Sequence, residues 1–124
     1  MHVKISRIVL PAILFSLAVP AFADIRNGKN IYLARCAMCH GENGKGSGPL
    51  ANKSHPPTPD LSTAAFKKRL SNYPGVIVSS IILRPNGDLI PKTLRENGIR
   101  LPAHVWTIQD LRDLNEYMMA IITK

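Results

Sequence analysis

Cys36 and Cys39 are the only cysteines of the chain, and His40 follows the second directly. In a helical turn, positions i, i+3 and i+4 share one side, so both thiols and the imidazole can face a single flat ligand. Such a set suits a porphyrin: the thiols add across its two vinyl groups and the imidazole reaches the iron. The C-x-x-C-H run is the attachment signal for c-type haem. A Cys36–Cys39 disulfide or thioredoxin-like couple would leave His40 without a purpose, and no βαβ pattern surrounds it. Zinc would need a fourth ligand, yet no second C-x-x-C or His pair follows, and only His55 and His104 remain downstream.

The elements that must position this motif are helical. A first helix is expected from Ile25 to about Cys39, running straight into it. The clearest helix is the last: Thr107 and Asp110 resemble a capping box, and Ile108, Leu111, Leu114, Tyr117, Met118, Ile121 and Ile122 recur at three- and four-residue steps. Two weaker segments lie between, Leu61–Leu70 with Asp60 or Ser62 as cap, and Gly75–Leu83. The second has a strand-like composition but no partner strand pattern, so it too is read as helix. Gly and Pro mark loops over Gly41–Pro59, Arg84–Pro91 and Gly98–His104.

The chain has 124 residues and opens like an address. Lys4 and Arg7 form a basic head, Ile8–Val19 an apolar run, and Ala21-Phe22-Ala23 an A-x-A cleavage site, the pattern of a secretory signal peptide over residues 1–23. The apolar run is shorter than the ~20 residues of a membrane-spanning helix, so membrane contact is expected only through a partner or an uncleaved leader. One domain over residues 24–124 is expected after cleavage. Without Lys4 and Arg7 it has 14 basic and 8 acidic side chains, a net charge of +6. No basic run exceeds Lys67-Lys68-Arg69, too short for a nucleic-acid arm; steering toward an acidic protein partner fits an exported chain better.

Over nearly its whole length, the chain from residue 24 resembles a small bacterial class I cytochrome c. Besides CAMCH, Gly28 and Tyr32 match the glycine and aromatic of that family's first helix. Leu114 and Tyr117 match their partners on its last. The resemblance implies an all-α bundle with crossed terminal helices, wrapped around one covalently attached haem c. It assigns Cys36 and Cys39 to the tether and His40 to the iron. Gly48-Pro49 matches the family's Gly-Pro, which implies that the Pro49 carbonyl accepts the Nδ1 proton of His40.

The resemblance breaks where the family carries its Met-Pro ligand loop, since this chain has Leu101-Pro102-Ala103 there. Met38 lies on the proximal side inside the motif, and Met118 and Met119 belong to the last helix. His104, three residues beyond Leu101, is the expected sixth ligand, with His55 more remote. The other alternative is an open sixth position that binds CO, NO or oxygen. Loss of the thioether implies a lower potential than that of a His/Met relative.

No acid–base pair, activated nucleophile or substrate motif stands elsewhere in the chain. The expected function is therefore a periplasmic monohaem carrier of single electrons between redox partners, more a carrier than an enzyme. The alternatives are a haem protein whose open distal site takes a small gas or peroxide, and a cofactor-free thiol protein.

Overall fold

The computed structural model describes residues 2–4, 6–14, 22–73, 77, 81, 90 and 92–124. Helix α1, Ile25–Arg35, starts at Asp24, whose carboxylate accepts the N–H groups of Arg26 and Asn27 at 3.0 and 3.4 Å. This satisfies two of the donors that a helix start leaves without partners. The expected continuous helix to Cys39 is interrupted. Cys36 takes φ −121° and ψ −39°, and a separate turn, α2, covers Ala37–His40 before Gly41 ends it at φ +76°. A positive φ of this kind favours glycine.

Helix α3, Ala64–Ser71, begins later than expected. Thr63, and neither Asp60 nor Ser62, caps it, accepting the Phe66 N–H at 3.3 Å. Asp60 is occupied one turn earlier by the N–H and hydroxyl of Ser62, at 2.7 and 2.6 Å. Of the Gly75–Leu83 segment only Ile77 and Ile81 are described; both are helical and buried. The remainder of that segment, and the Arg84–Pro91 turn apart from Ile90, lie outside the described residues. A 3-10 turn at Ala51–Lys53 and a short helix α4, Lys92–Glu96, had no counterpart in the sequence pattern.

Helix α5, Ile108–Ile122, follows its sequence signals closely. Thr107 accepts the Asp110 N–H at 3.0 Å, and the Asp110 carboxylate accepts the Thr107 N–H at 3.2 Å, a complete capping box. Leu111, Leu114, Met118 and Ile122 are buried. Ile108, expected on the same face, is instead 73% exposed.

The fold rests on the crossing of α1 and α5. A Cβ on Gly28 would stand 2.0 Å from the Asp113 carbonyl oxygen and 2.9 Å from Tyr117 Cβ, so the helices approach to a distance that only glycine permits. Beside this contact the rings of Tyr32 and Tyr117 meet at 5.5 Å, tilted by 55°. Ile31, Tyr32, Leu61, Leu70, Ile77, Ile81, Leu111, Leu114, Met118 and Ile122 form one apolar core. Each such large side chain contributes roughly 1.5–3 kcal/mol on full burial, more than any single cap. No strand occurs among the described residues, and no helix of theirs is long and apolar enough to cross a membrane.

Candidate functional site

The attachment turn is held by backbone. Within it, the N–H groups of Cys39 and His40 reach the Cys36 carbonyl at 3.2 and 2.9 Å. The following loop then folds back and satisfies the carbonyls that the turn leaves free. Gly46 N–H donates to His40, Gly48 N–H to Cys39, and Leu50 N–H to Met38, at 2.9, 3.1 and 2.8 Å. The approach is close: a Cβ on Gly48 would lie 2.4 Å from the Met38 carbonyl oxygen. From beneath, the buried Tyr32 donates its hydroxyl to the Gly41 carbonyl at 2.6 Å.

Cys36 and Cys39 are free thiols within this turn. Burial pushes the Cys36 thiol up to about 12. Burial also raises the Cys39 thiol, against an opposing hydrogen bond with Thr58. Reactive redox cysteines are thiolates with depressed pKa values, so neither residue suits a thioredoxin-like couple. Among the described residues, no three His, Cys, Asp or Glu side chains converge to hold a metal ion.

His40 is kept neutral. Burial lowers its pKa, with a smaller opposing effect from the Pro59 carbonyl, and its Nδ1 is buried without a hydrogen-bond partner. The expected hydrogen bond from Nδ1 to the Pro49 carbonyl is not made. Gly48 and Leu50 tie the Pro49 segment along the backbone of the turn. The chain returns to the imidazole one loop later: a Cβ on Gly46 would stand 2.7 Å from the Thr58 carbonyl and 3.1 Å from that of Pro59. A neutral imidazole with an orphaned ring nitrogen, two unpaired thiols, and Cys36 and Ala37 packed against the apolar core are features that fit a tethered haem.

The Gly98–His104 segment is tied to both terminal helices. Arg35, the last residue of α1, donates to the Pro102 carbonyl at 2.7 Å, and its guanidinium lies 5.5 Å from the Trp106 ring centre. Trp106 meets the His104 ring edge-on at 4.5 Å. His104 Nε2 stands 3.2 Å from Asp110 Oδ2. Burial raises the Asp110 pKa, but hydrogen bonds from Asn27, Thr107 and His104 outweigh it and hold the carboxyl below its usual value.

The structure thus brings Cys36, Cys39 and His40 into one turn and places His104 in the segment ahead of α5, with its Nε2 facing Asp110. His55 is exposed, and its backbone N–H donates to Thr93 at 3.3 Å. Met118 is buried in the core, Met119 packs against it, and Met38 is partly exposed. Sequence reasoning missed the roles of Arg35 and Asp110. Asp110 was legible only as a capping acid, and no linear pattern joins Arg35 to a loop 67 residues away.

Compared with known families, the chain matches the model of cytochrome c over residues 25–121. No curated protein sequence matches it.

Proposed function

The chain belongs to the cytochrome c family, proteins that carry electrons on covalently attached haem c, and from that premise we propose an exported carrier of single electrons between protein partners in the periplasm. In this reading residues 1–23 are removed after Ala23, leaving residues 24–124 as the working domain. Cys36 and Cys39 form the two thioethers, and His40 is the proximal ligand. When bound, the haem supplies the ferric–ferrous couple. The protein keeps the imidazole neutral and aimed, holds the attachment turn rigid through Gly46, Gly48 and Leu50, and seals it against the apolar core.

The observation that carries this reading is the attachment turn itself: a half-buried His40 with a buried, orphaned Nδ1 beside two unpaired thiols. A pyridine haemochrome assay on protein matured with a haem-attachment system tests it. One covalent haem per chain is expected. Cys36→Ala or Cys39→Ala should give the shifted band of a single thioether. Protein without covalent haem would overturn both the carrier and the gas-binding readings.

For the sixth position, His104 is proposed as the nitrogen donor beyond Leu101-Pro102, and its Nε2 must leave Asp110 to serve. A second reading is favoured by that same contact. With His104 held by Asp110 and Trp106, Met118 in the core and Met119 packed against it, none of these candidate ligands among the described residues is committed to the distal side, which then takes a small gas or peroxide. Ferric and ferrous absorption spectra separate the two. A low-spin spectrum lost in His104→Ala supports ligation by His104; a high-spin spectrum that shifts with CO in the unmutated protein supports the open site.

A further inference from the structure

Asp113 is a carboxylate at the heart of the α1–α5 crossing, only 1% exposed. Its Oδ1 accepts the backbone N–H of Asp24 at 2.7 Å and Gln109 Nε2 at 2.6 Å, while Oδ2 accepts Asn27 Nδ2 at 2.7 Å. All three donors are neutral amides. A buried carboxylate met only by neutral donors lacks the compensating charge that usually makes such burial tolerable.

One of those donors is the first atom after the expected cleavage site. We propose that removal of the leader converts the Asp24 nitrogen into an α-ammonium that pairs with the buried Asp113 carboxylate, so that processing locks the terminal helices together. The inference rests on the proposed cleavage after Ala23. Hydrolysis breaks the Ala23–Asp24 peptide bond: water supplies hydroxyl to the Ala23 carbonyl and hydrogen to the Asp24 nitrogen, and the resulting amine takes a proton from solvent. A nitrogen already 2.7 Å from Oδ1 then gains a positive charge and further donors. Charge-assisted hydrogen bonds are about twice as strong as neutral ones.

The nitrogen has reason to stay where it is. Asp24 caps α1 through its own side chain, so the helix start needs nothing upstream. Of the leader's described residues, 2–4, 6–14 and Phe22 are exposed and Ala23 is half-buried. Among the described residues, cleavage removes one bond, from Gln109 Nε2 to the Phe22 carbonyl at 3.1 Å, but leaves Gln109 on Asp113. The positive end of the α1 dipole opposes an ammonium here. The surrounding charges favour it: Asp24 and Asp113 flank the nitrogen, and Asp110 is linked through Asn27 at 3.0 Å with His104 behind it. Arg26, the nearby cation, is exposed and lies 3.8 Å from the Asp24 carboxylate.

The test uses the full chain, expressed with its leader and matured with haem. The mass of the processed protein shows whether Asp24 comes first; another first residue would overturn the cleavage reading itself. Inserting Gly-Ser between Ala23 and Asp24 leaves the A-x-A site intact but displaces the ammonium from Asp113. The insertion should raise the unfolding equilibrium constant about tenfold with Asp113 present and change it little in Asp113→Asn. In the unmutated processed protein, the α-amino group should titrate well above its ordinary range of roughly 7.7–8.0. The added stability is then full below that range and lost as pH rises through the raised value. An equal effect of the insertion in both backgrounds, or an α-amino group titrating in its ordinary range, would overturn the ion pair. The titration decides the matter even where Asp113→Asn fails to fold.

Discussion

His40 shows how burial and chemistry agree at a single residue. Burial lowers its pKa below the ordinary value of about 6.5, and an iron ligand must also be unprotonated. A lowered histidine pKa means that the folded state binds fewer protons than the unfolded one. Its contribution to stability is therefore complete above the unfolded pKa and lost as pH falls through the folded one. Acid titration of the holoprotein, followed by its absorption spectrum, should show the proximal signature steady at neutral pH and lost only below the ordinary histidine range. Loss of that signature between pH 7 and 8 would contradict the assignment. The type and spacing of His40 were plain in CAMCH; that its Nδ1 lacks the expected Pro49 partner depended on how a 19-residue loop closes.

Among the elements, α5 was the most legible because its signals are local. Thr107, Asp110 and the apolar repeat need only their neighbours to act. Removing the cap with Thr107→Ala should cost about 1 kcal/mol of stability in denaturant unfolding of the holoprotein. Gly28→Ala should cost more, beyond the roughly 1–3 kcal/mol usual for overpacking, because the added Cβ meets backbone of α5 rather than a side chain that can turn aside. Equal midpoints for these two variants would mean that the crossing is looser than the structure has it. The break at Cys36 was not legible. It depends on carbonyls of the turn being taken over by Gly46, Gly48 and Leu50, which follow it in sequence but return to it only in space.

At the scale of the whole molecule, most of the basic side chains described for residues 24–124 stand at the surface. Asp113 is buried and Asp110 half-buried at the helix crossing, while Lys45, Lys53, Lys68, Arg69, Lys92, Arg100 and Lys124 are exposed. Such a surface should steer encounter with an acidic partner over the Debye length, which shrinks from about 30 Å at 0.01 M salt to about 10 Å at 0.1 M. Electron-transfer rates with an acidic partner, followed by stopped flow, should fall steeply across that interval. Rates independent of salt would remove the steering role, without touching the haem site.

The sequence by itself determined what depends on residue type and short spacing: CAMCH, the last helix with its cap, the Gly28/Tyr32 and Leu114/Tyr117 pairs, and an all-α fold. Tertiary structure alone decided what depends on distant segments meeting. It set Arg35 on Pro102, His104 on Asp110, the Pro59 loop beside His40, and the Asp24 nitrogen on Asp113. The physical reason is range. Caps and helical periods act within a few residues, whereas a buried imidazole or carboxylate takes its partners from whatever the closing chain brings within hydrogen-bond reach.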